Sequence, residues 1–245
     1  MNIDTITSLC QGLKLNGMLG SLEQRLIQAR EDALSHPECL GLLLQDEVQH
    51  RSGKSTARRL QQAKFEEKKM FEQIDMKRYP TAAQQTMREL IAGQYLSNKQ
   101  NVLIMGPTGT GKTHFAQALG HQACRQGKFV RFIRASVFHR ELQASRADET
   151  WEKTFKQYTK PGLFVLDDFG LKVMTAQQAE ELYELIVERN QKGSIIVTSN
   201  RNVDGWIKLF PDPVMGNAAL DRLANNSYQL ILEGDSFRKN LRPKE

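Results

Sequence analysis

The sequence predicts an α/β domain built on a parallel sheet, preceded by a small helical domain, and three observations carry that expectation. Five short apolar runs rich in branched residues alternate with helical stretches from residue 81 onward: NVLIMG (101–106), KFVRFIRA (128–135), LFVLDDFG (163–170), SIIVTSN (194–200) and YQLILEG (228–234). Strands that are apolar throughout imply a sheet covered on both faces, the parallel arrangement. Between 101 and 113 a strand runs into the glycine-rich stretch GPTGTGKT and then into a helix. Charge also changes abruptly along the chain. Residues 1–50 hold three basic and seven acidic residues, whereas 51–78 hold nine basic and four acidic, ahead of Tyr79-Pro80. That change predicts a boundary near 75, giving a helical region at 1–75 and an α/β domain at 76–245.

Bulk properties agree with such an architecture. The 245 residues suffice for one α/β domain and a smaller appendage. A net charge of +6 leans mildly toward anionic partners. Cys10, Cys39 and Cys124 are scattered and odd in number, which argues against a disulfide framework or zinc site and for a reducing, cytoplasmic setting. MNIDTITSLC carries an acid and no basic region, unlike a signal peptide, and no apolar run approaches membrane-spanning length.

Taken in order, the first elements are helices. Met18, Leu22, Leu26, Ala29 and Ala33 recur on one face. Ser35-His36-Pro37-Glu38 has the form of a cap and first turn, and Leu40, Leu43, Leu44 and Val48 continue that helix.

The next element carries the chemistry. Gly106, Pro107, Thr108, Gly109, Thr110, Gly111, Lys112 and Thr113 match GxxxxGK[ST] with the required strand before and helix after. The glycines let backbone amides and a helix N-terminus wrap a polyphosphate. Lys112 is expected to reach the β- and γ-phosphates of a nucleoside triphosphate, and Thr113 to hold magnesium. LFVLDDFG then ends a strand in two carboxylates. Asp167 stands where a magnesium-binding acid belongs. Asp168 is placed to polarise the attacking water, and the alternative is that both are solvated turn aspartates. Asn200, at the tip of SIIVTSN, is placed either to contact the γ-phosphate or to form a turn.

Two late arginines complete the candidate catalytic set. Phosphoryl transfer needs cations opposite the charge that develops between β- and γ-phosphates. Arg222 could project into a neighbouring subunit's site, and Arg238 could reach back to its own; the alternative for each is a surface ion pair of little weight.

GPTGTGKTH, LFVLDDFGL, IIVTSN followed by Trp206, ALDRL and GDSFRK occur in the order found in IstB-like AAA+ proteins, and over about residues 1–240 the chain resembles that family. These are the ATP-dependent helpers of insertion-sequence transposases, kin of the DnaC helicase loaders and DnaA initiators. The resemblance implies a P-loop AAA+ ATPase core with a five-stranded parallel sheet in the order 5-1-4-3-2. It further implies homo-oligomerisation promoted by ATP and duplex DNA, bending of that DNA, and recruitment of a transposase. Arg222 matches the family's finger position and Arg238 its second sensor, while Asp168 replaces the glutamate usual in the wider group.

Duplex DNA would be held through its phosphates. Candidates are Arg51, Lys54, Arg58 and Arg59 in the basic segment, and Arg134, Arg140 and Arg146 between second and third strands. Residues 1–50 offer a protein-docking surface. A helicase loader is the alternative within the same fold; a small-molecule P-loop kinase and a purely structural ATP-binding module are others.

Overall fold

A computed structural model describes residues 2–234, 236 and 237. By compactness the chain divides into residues 1–58 and 59–245.

The first unit is helical. α1 (Ile3–Gly12) starts where the Asn2 side chain accepts the Thr5 amide at 2.9 Å. α2 (Asn16–Glu31) has no side-chain cap of its own; instead the buried Glu47 carboxylate accepts the amides of Gly17 and Met18 at 2.6 and 3.1 Å. Glycine is required at 17, because a Cβ there would lie 2.7 Å from the Asp46 carbonyl oxygen. α3 (His36–Ala63) starts with the Ser35 amide and hydroxyl both donating to Glu38, as the cap signature predicts. Met18, Leu22 and Leu43 form the small core. One expectation is corrected: Ala33 adopts a left-handed φ of 50° beyond the end of α2. Leu40, Leu43, Leu44 and Val48 continue α3 as expected, Leu43 joining the core and the other three being exposed.

The division at 58/59 precedes the boundary expected from charge near 75. The reason is packing. Leu60, Ala63, Phe65, Phe71, Ile74 and Met76 all join a hydrophobic cluster of the larger unit, so the basic stretch from Arg59 onward belongs with the domain that follows, while Arg51, Lys54 and Arg58 stay with the first unit.

In the larger unit, α4 (Thr81–Ala92) and the short α5 (Gln94–Ser97) lead into β1 (Asn101–Met105) and α6 (Lys112–Arg125). Then come β2 (Val130–Arg134), α7 (Ala135–Ala147), α8 (Trp151–Thr159), β3 (Leu163–Phe169) and α9 (Ala176–Arg189). β4 (Ser194–Ser199), α10 (Pro213–Ala224) and β5 (Ser227–Ile231) complete it. The sheet runs β2-β3-β4-β1-β5 with every pairing parallel, the predicted order read from the other edge.

Period-two alternation splits the core into two layers. Val102 and Ile104 meet Phe115, Leu119 and Leu90 on one face, whereas Leu103 and Met105 meet Phe138, Leu185, Trp206 and Leu223 on the other. Parallel strands bring the ends of β1, β3 and β4 together at one edge, where ligands bind in such sheets.

Candidate functional site

At that edge β1 turns into the glycine-rich loop. Gly106, Gly109 and Gly111 have φ of 145°, 86° and 92°, values that favour glycine. Space compels it as well. A Cβ on Gly106 would approach the Leu232 carbonyl oxygen to 2.1 Å, and one on Gly109 the Ser236 hydroxyl to 2.0 Å. The segment after β5 therefore runs directly over the loop, and the Phe237 amide donates to the Gly109 carbonyl at 2.9 Å. Tyr79, buried, donates its hydroxyl to the Thr110 carbonyl at 2.9 Å. Neither contact was foreseen from sequence, since both partners lie far along the chain.

Inside the loop, Thr110 Oγ1 and Lys112 Nζ both donate to the Pro107 carbonyl, at 2.9 and 2.7 Å. Lys112 and Thr113 open α6, so its first amides face the loop interior.

The acids of β3 stand opposite. Thr113 Oγ1 lies 2.9 and 3.1 Å from the two Asp167 oxygens, so the two residues expected to share a metal are already paired. Asp167 is buried, and burial pushes its carboxyl above the ordinary range; hydrogen bonds from Thr198 and Thr113 oppose that rise, and the Asp168 charge adds to it. A carboxylate beside a hydroxyl is a hard, all-oxygen donor set that fits Mg2+ held together with phosphate oxygens. Among the described residues no larger cluster of metal-binding side chains exists.

Asp168 is half-buried with φ of 54°, and it faces a cavity of about 340 Å³ lined also by Ser136, His139, Arg140 and Lys172. Asn200 is exposed just past β4, beside the loop, where the Gly106 amide donates to the Ser199 carbonyl at 3.2 Å.

Sequence reasoning passed over the side chains that hold this turn. Thr198 donates to Asp167 Oδ1 at 2.6 Å and accepts the Asp168 amide at 2.9 Å. Ser199 Oγ donates to the Phe169 carbonyl at 2.8 Å, and Arg201 Nε to the Gly170 carbonyl at 2.7 Å. Trp206 donates to both Ser199 Oγ and the Arg201 carbonyl. The available signal was a threonine and a serine ending an otherwise apolar buried strand, which must find partners.

Arg222 lies elsewhere. It borders a crevice with Lys99, Asn101, Gly193 and Asn226, at the amino ends of the strands, a strand length of about 16 Å from the loop. Its guanidinium donates to the Ala218 carbonyl at 2.8 Å and lies over the Tyr183 ring at 5.6 Å. Arg238 lies outside the described residues.

The candidate DNA-binding side chains separate by their partners. Arg51 pairs with Glu47, Arg134 with Glu66, and Arg146 with Glu181 while lying over Trp151. Arg59 donates to the Cys124 carbonyl at 3.3 Å. Lys54, Arg58 and Arg140 are exposed.

Known proteins resemble this chain along its length. A family model described as IstB-like ATP binding protein matches residues 8–245. An insertion-sequence ATP-binding protein of Mycobacterium tuberculosis is 42% identical over 232 residues, which is 94% of this chain and 92% of that protein. The IS21 insertion-sequence ATP-binding protein of Pseudomonas aeruginosa is 32% identical, over 94% of this chain and 87% of its own. Among solved structures, the DnaC helicase loader aligns with a TM-score of 0.54 at 20% identity, covering 62% of this chain and 89% of that one. The replication initiator DnaA, bound to AMPPCP and single-stranded DNA, aligns with a TM-score of 0.58 at 21% identity, covering 69% and 50%. At such identities the two structures speak for a shared fold alone. No helix among the described residues is long and apolar enough to cross a membrane.

Proposed function

The chain belongs to the IstB-like ATP-binding protein family and is an ATPase of the P-loop AAA+ class, and from that premise we propose that it assembles on duplex DNA and recruits a transposase. In this reading ATP binding builds the assembly, the assembly bends the duplex, and hydrolysis, stimulated by DNA, is the switch that releases it. The insertion-sequence ATP-binding proteins that match over nine-tenths of the chain favour a transposition helper over a helicase loader.

Each residue has a role in the hydrolytic step. Lys112 and the loop amides bind the β- and γ-phosphates. Thr113 and Asp167 would hold magnesium, which when bound neutralises charge across those phosphates. Asp168 orients the attacking water, and Asn200 senses the γ-phosphate from the tip of β4. Lys54, Arg58 and Arg140, exposed, are the candidate DNA contacts that this reading retains.

The observation that carries the assembly is the place of Arg222. At the amino ends of the strands it cannot serve the phosphate loop of its own chain, but it can complete a neighbour's. An arginine supplied in this way raises hydrolysis by roughly 10³–10⁵. Mixing R222A with K112A subunits, each inactive alone, should restore part of the DNA-dependent ATPase activity, because each lends what the other lacks. Two folded, co-assembled variants that stay inactive together would remove Arg222 from that role.

A further inference from the structure

A polar side chain in the middle of an apolar sheet must be satisfied, and the way Thr198 is satisfied has a consequence for catalysis. Thr198 is fully buried on β4, facing the end of β3. A hydroxyl has one proton and two lone pairs. The Asp168 amide can only donate, so Thr198 accepts from it at 2.9 Å and keeps its own proton for Asp167 Oδ1 at 2.6 Å. One oxygen atom therefore fixes the carboxylate of one acid and the backbone of the next.

The backbone it holds is unusual. Asp168 takes a left-handed φ of 54°, where β3 and β4 shift register between Leu166 and Phe169. The next two carbonyls are gripped from the same strand and its extension, by Ser199 and Arg201. Gly170 suits that grip, because its φ of 84° is a left-handed value that favours glycine and a Cβ there would crowd Leu209 Cδ1 at 3.0 Å. β4 thus determines the conformation of residues 167–170 side chain by side chain.

We propose that Thr198 is a positioning residue for hydrolysis. Its hydroxyl turns the Asp167 carboxylate toward Thr113 and the magnesium position, and its acceptor oxygen keeps Asp168 in the backbone conformation from which it addresses water. Asn200 follows the end of that strand, two residues beyond Thr198, so movement at the γ-phosphate-sensing tip reaches both acids through Thr198. The proposal rests on the reading of Asp167 as a metal ligand. It separates two properties that the phosphate loop alone would keep together, affinity for the nucleotide and response to the metal.

The test uses the full chain as wild type, T198V, T198S and D167N. A non-hydrolysable ATP analogue is titrated calorimetrically at increasing Mg2+, ATP turnover is measured in parallel, and thermal unfolding establishes that each variant folds. T198V should bind the analogue without metal as wild type does, since Lys112 and the loop amides are untouched. Its Mg2+ midpoint should rise, and its kcat fall, by about tenfold or more, the weight of one hydrogen bond to a charged group. KM for ATP at saturating Mg2+ should hardly move, and T198S should restore both parameters to within about twofold. T198A gives the same comparison if T198V does not fold. An unchanged Mg2+ midpoint and kcat in T198V, beside a D167N variant that has lost its metal response, would overturn the role of Thr198 and leave the acid assignment standing. A D167N variant that keeps the wild-type metal response would overturn the metal-ligand reading, and the proposal with it.

Discussion

The two ends of the sheet use buried polar groups in opposite ways. At the amino ends, Arg189 is fully buried and donates to four carbonyls: Tyr158, Thr159, Pro161 and Ser194, at 2.8–3.1 Å. Asn101 does the same on a smaller scale, donating to the Leu223 carbonyl and accepting the Ile195 amide. These are staples. They tie helix ends and strand starts together. At the carboxyl ends, Lys112, Thr113, Asp167 and Thr198 bond among themselves and the loop, next to Asp168 and four glycines with positive φ. Local strain and like charges concentrate there, as they do at functional sites. The contrast teaches that burial of a charge does not by itself mark function. What distinguishes the ends is what the buried groups bond to: backbone groups of distant elements at the amino ends, and mainly one another, beside two adjacent acids, at the carboxyl ends.

That contrast can be broken from either side. The largest expected effect is at the staple. R189M keeps the volume but strips four carbonyls of their donor, and should cost about 3–5 kcal/mol of unfolding free energy, read by chemical denaturation. A loss below about 1 kcal/mol would mean that those carbonyls find other donors.

At the other end the expectation reverses. K112A should weaken ATP binding by about a hundredfold or more, measured with a fluorescent analogue, if Lys112 is the cation facing the β- and γ-phosphates as proposed. Its melting temperature should shift by only a few degrees. Comparable losses of stability and affinity would erase the difference between the two ends.

A smaller effect sharpens the comparison at the cavity beside Asp168. His139 lines it, with Nδ1 buried and unpartnered among the described residues, and burial presses the imidazole down to about 4. An unfolded histidine titrates near 6.5, so between those values the unfolded chain binds more protons. Stability from this group is complete above pH 6.5 and is lost as pH falls toward 4. H139F should flatten that slope by roughly 2 kcal/mol, allowing for partial exposure, in denaturation curves collected across the window. An unaltered slope would show that His139 is not the residue titrating there.

How much of this was legible in the sequence follows from the range of the interactions involved. The phosphate loop was legible because motif, preceding strand and following helix are contiguous. The five strands were legible from short apolar runs, and Asp167 from its position at the end of one. Asn200 was picked out of SIIVTSN, yet Thr198 in the same run was passed over: its partners lie about thirty residues away on β3, and nothing local shows that they meet. That the chain after β5 returns to its own phosphate site was expected for Arg238, but its passage over the loop at Ser236 and Phe237 was not, since Ser236 and Gly109 are neighbours only once β5 pairs with β1.

By itself, then, the sequence determined the fold class, the identity of the nucleotide loop and which strand carries the acids. Those depend on periodicity and spacing within a few residues, and elementary sterics translate both directly into structure. Only the tertiary structure decided that the basic stretch from Arg59 onward packs with the larger unit, that Arg222 stands at the far end from its own phosphate loop, and that one threonine holds both acids. Each of these depends on contacts between distant parts of the chain, which form only when the whole apolar surface is buried at once.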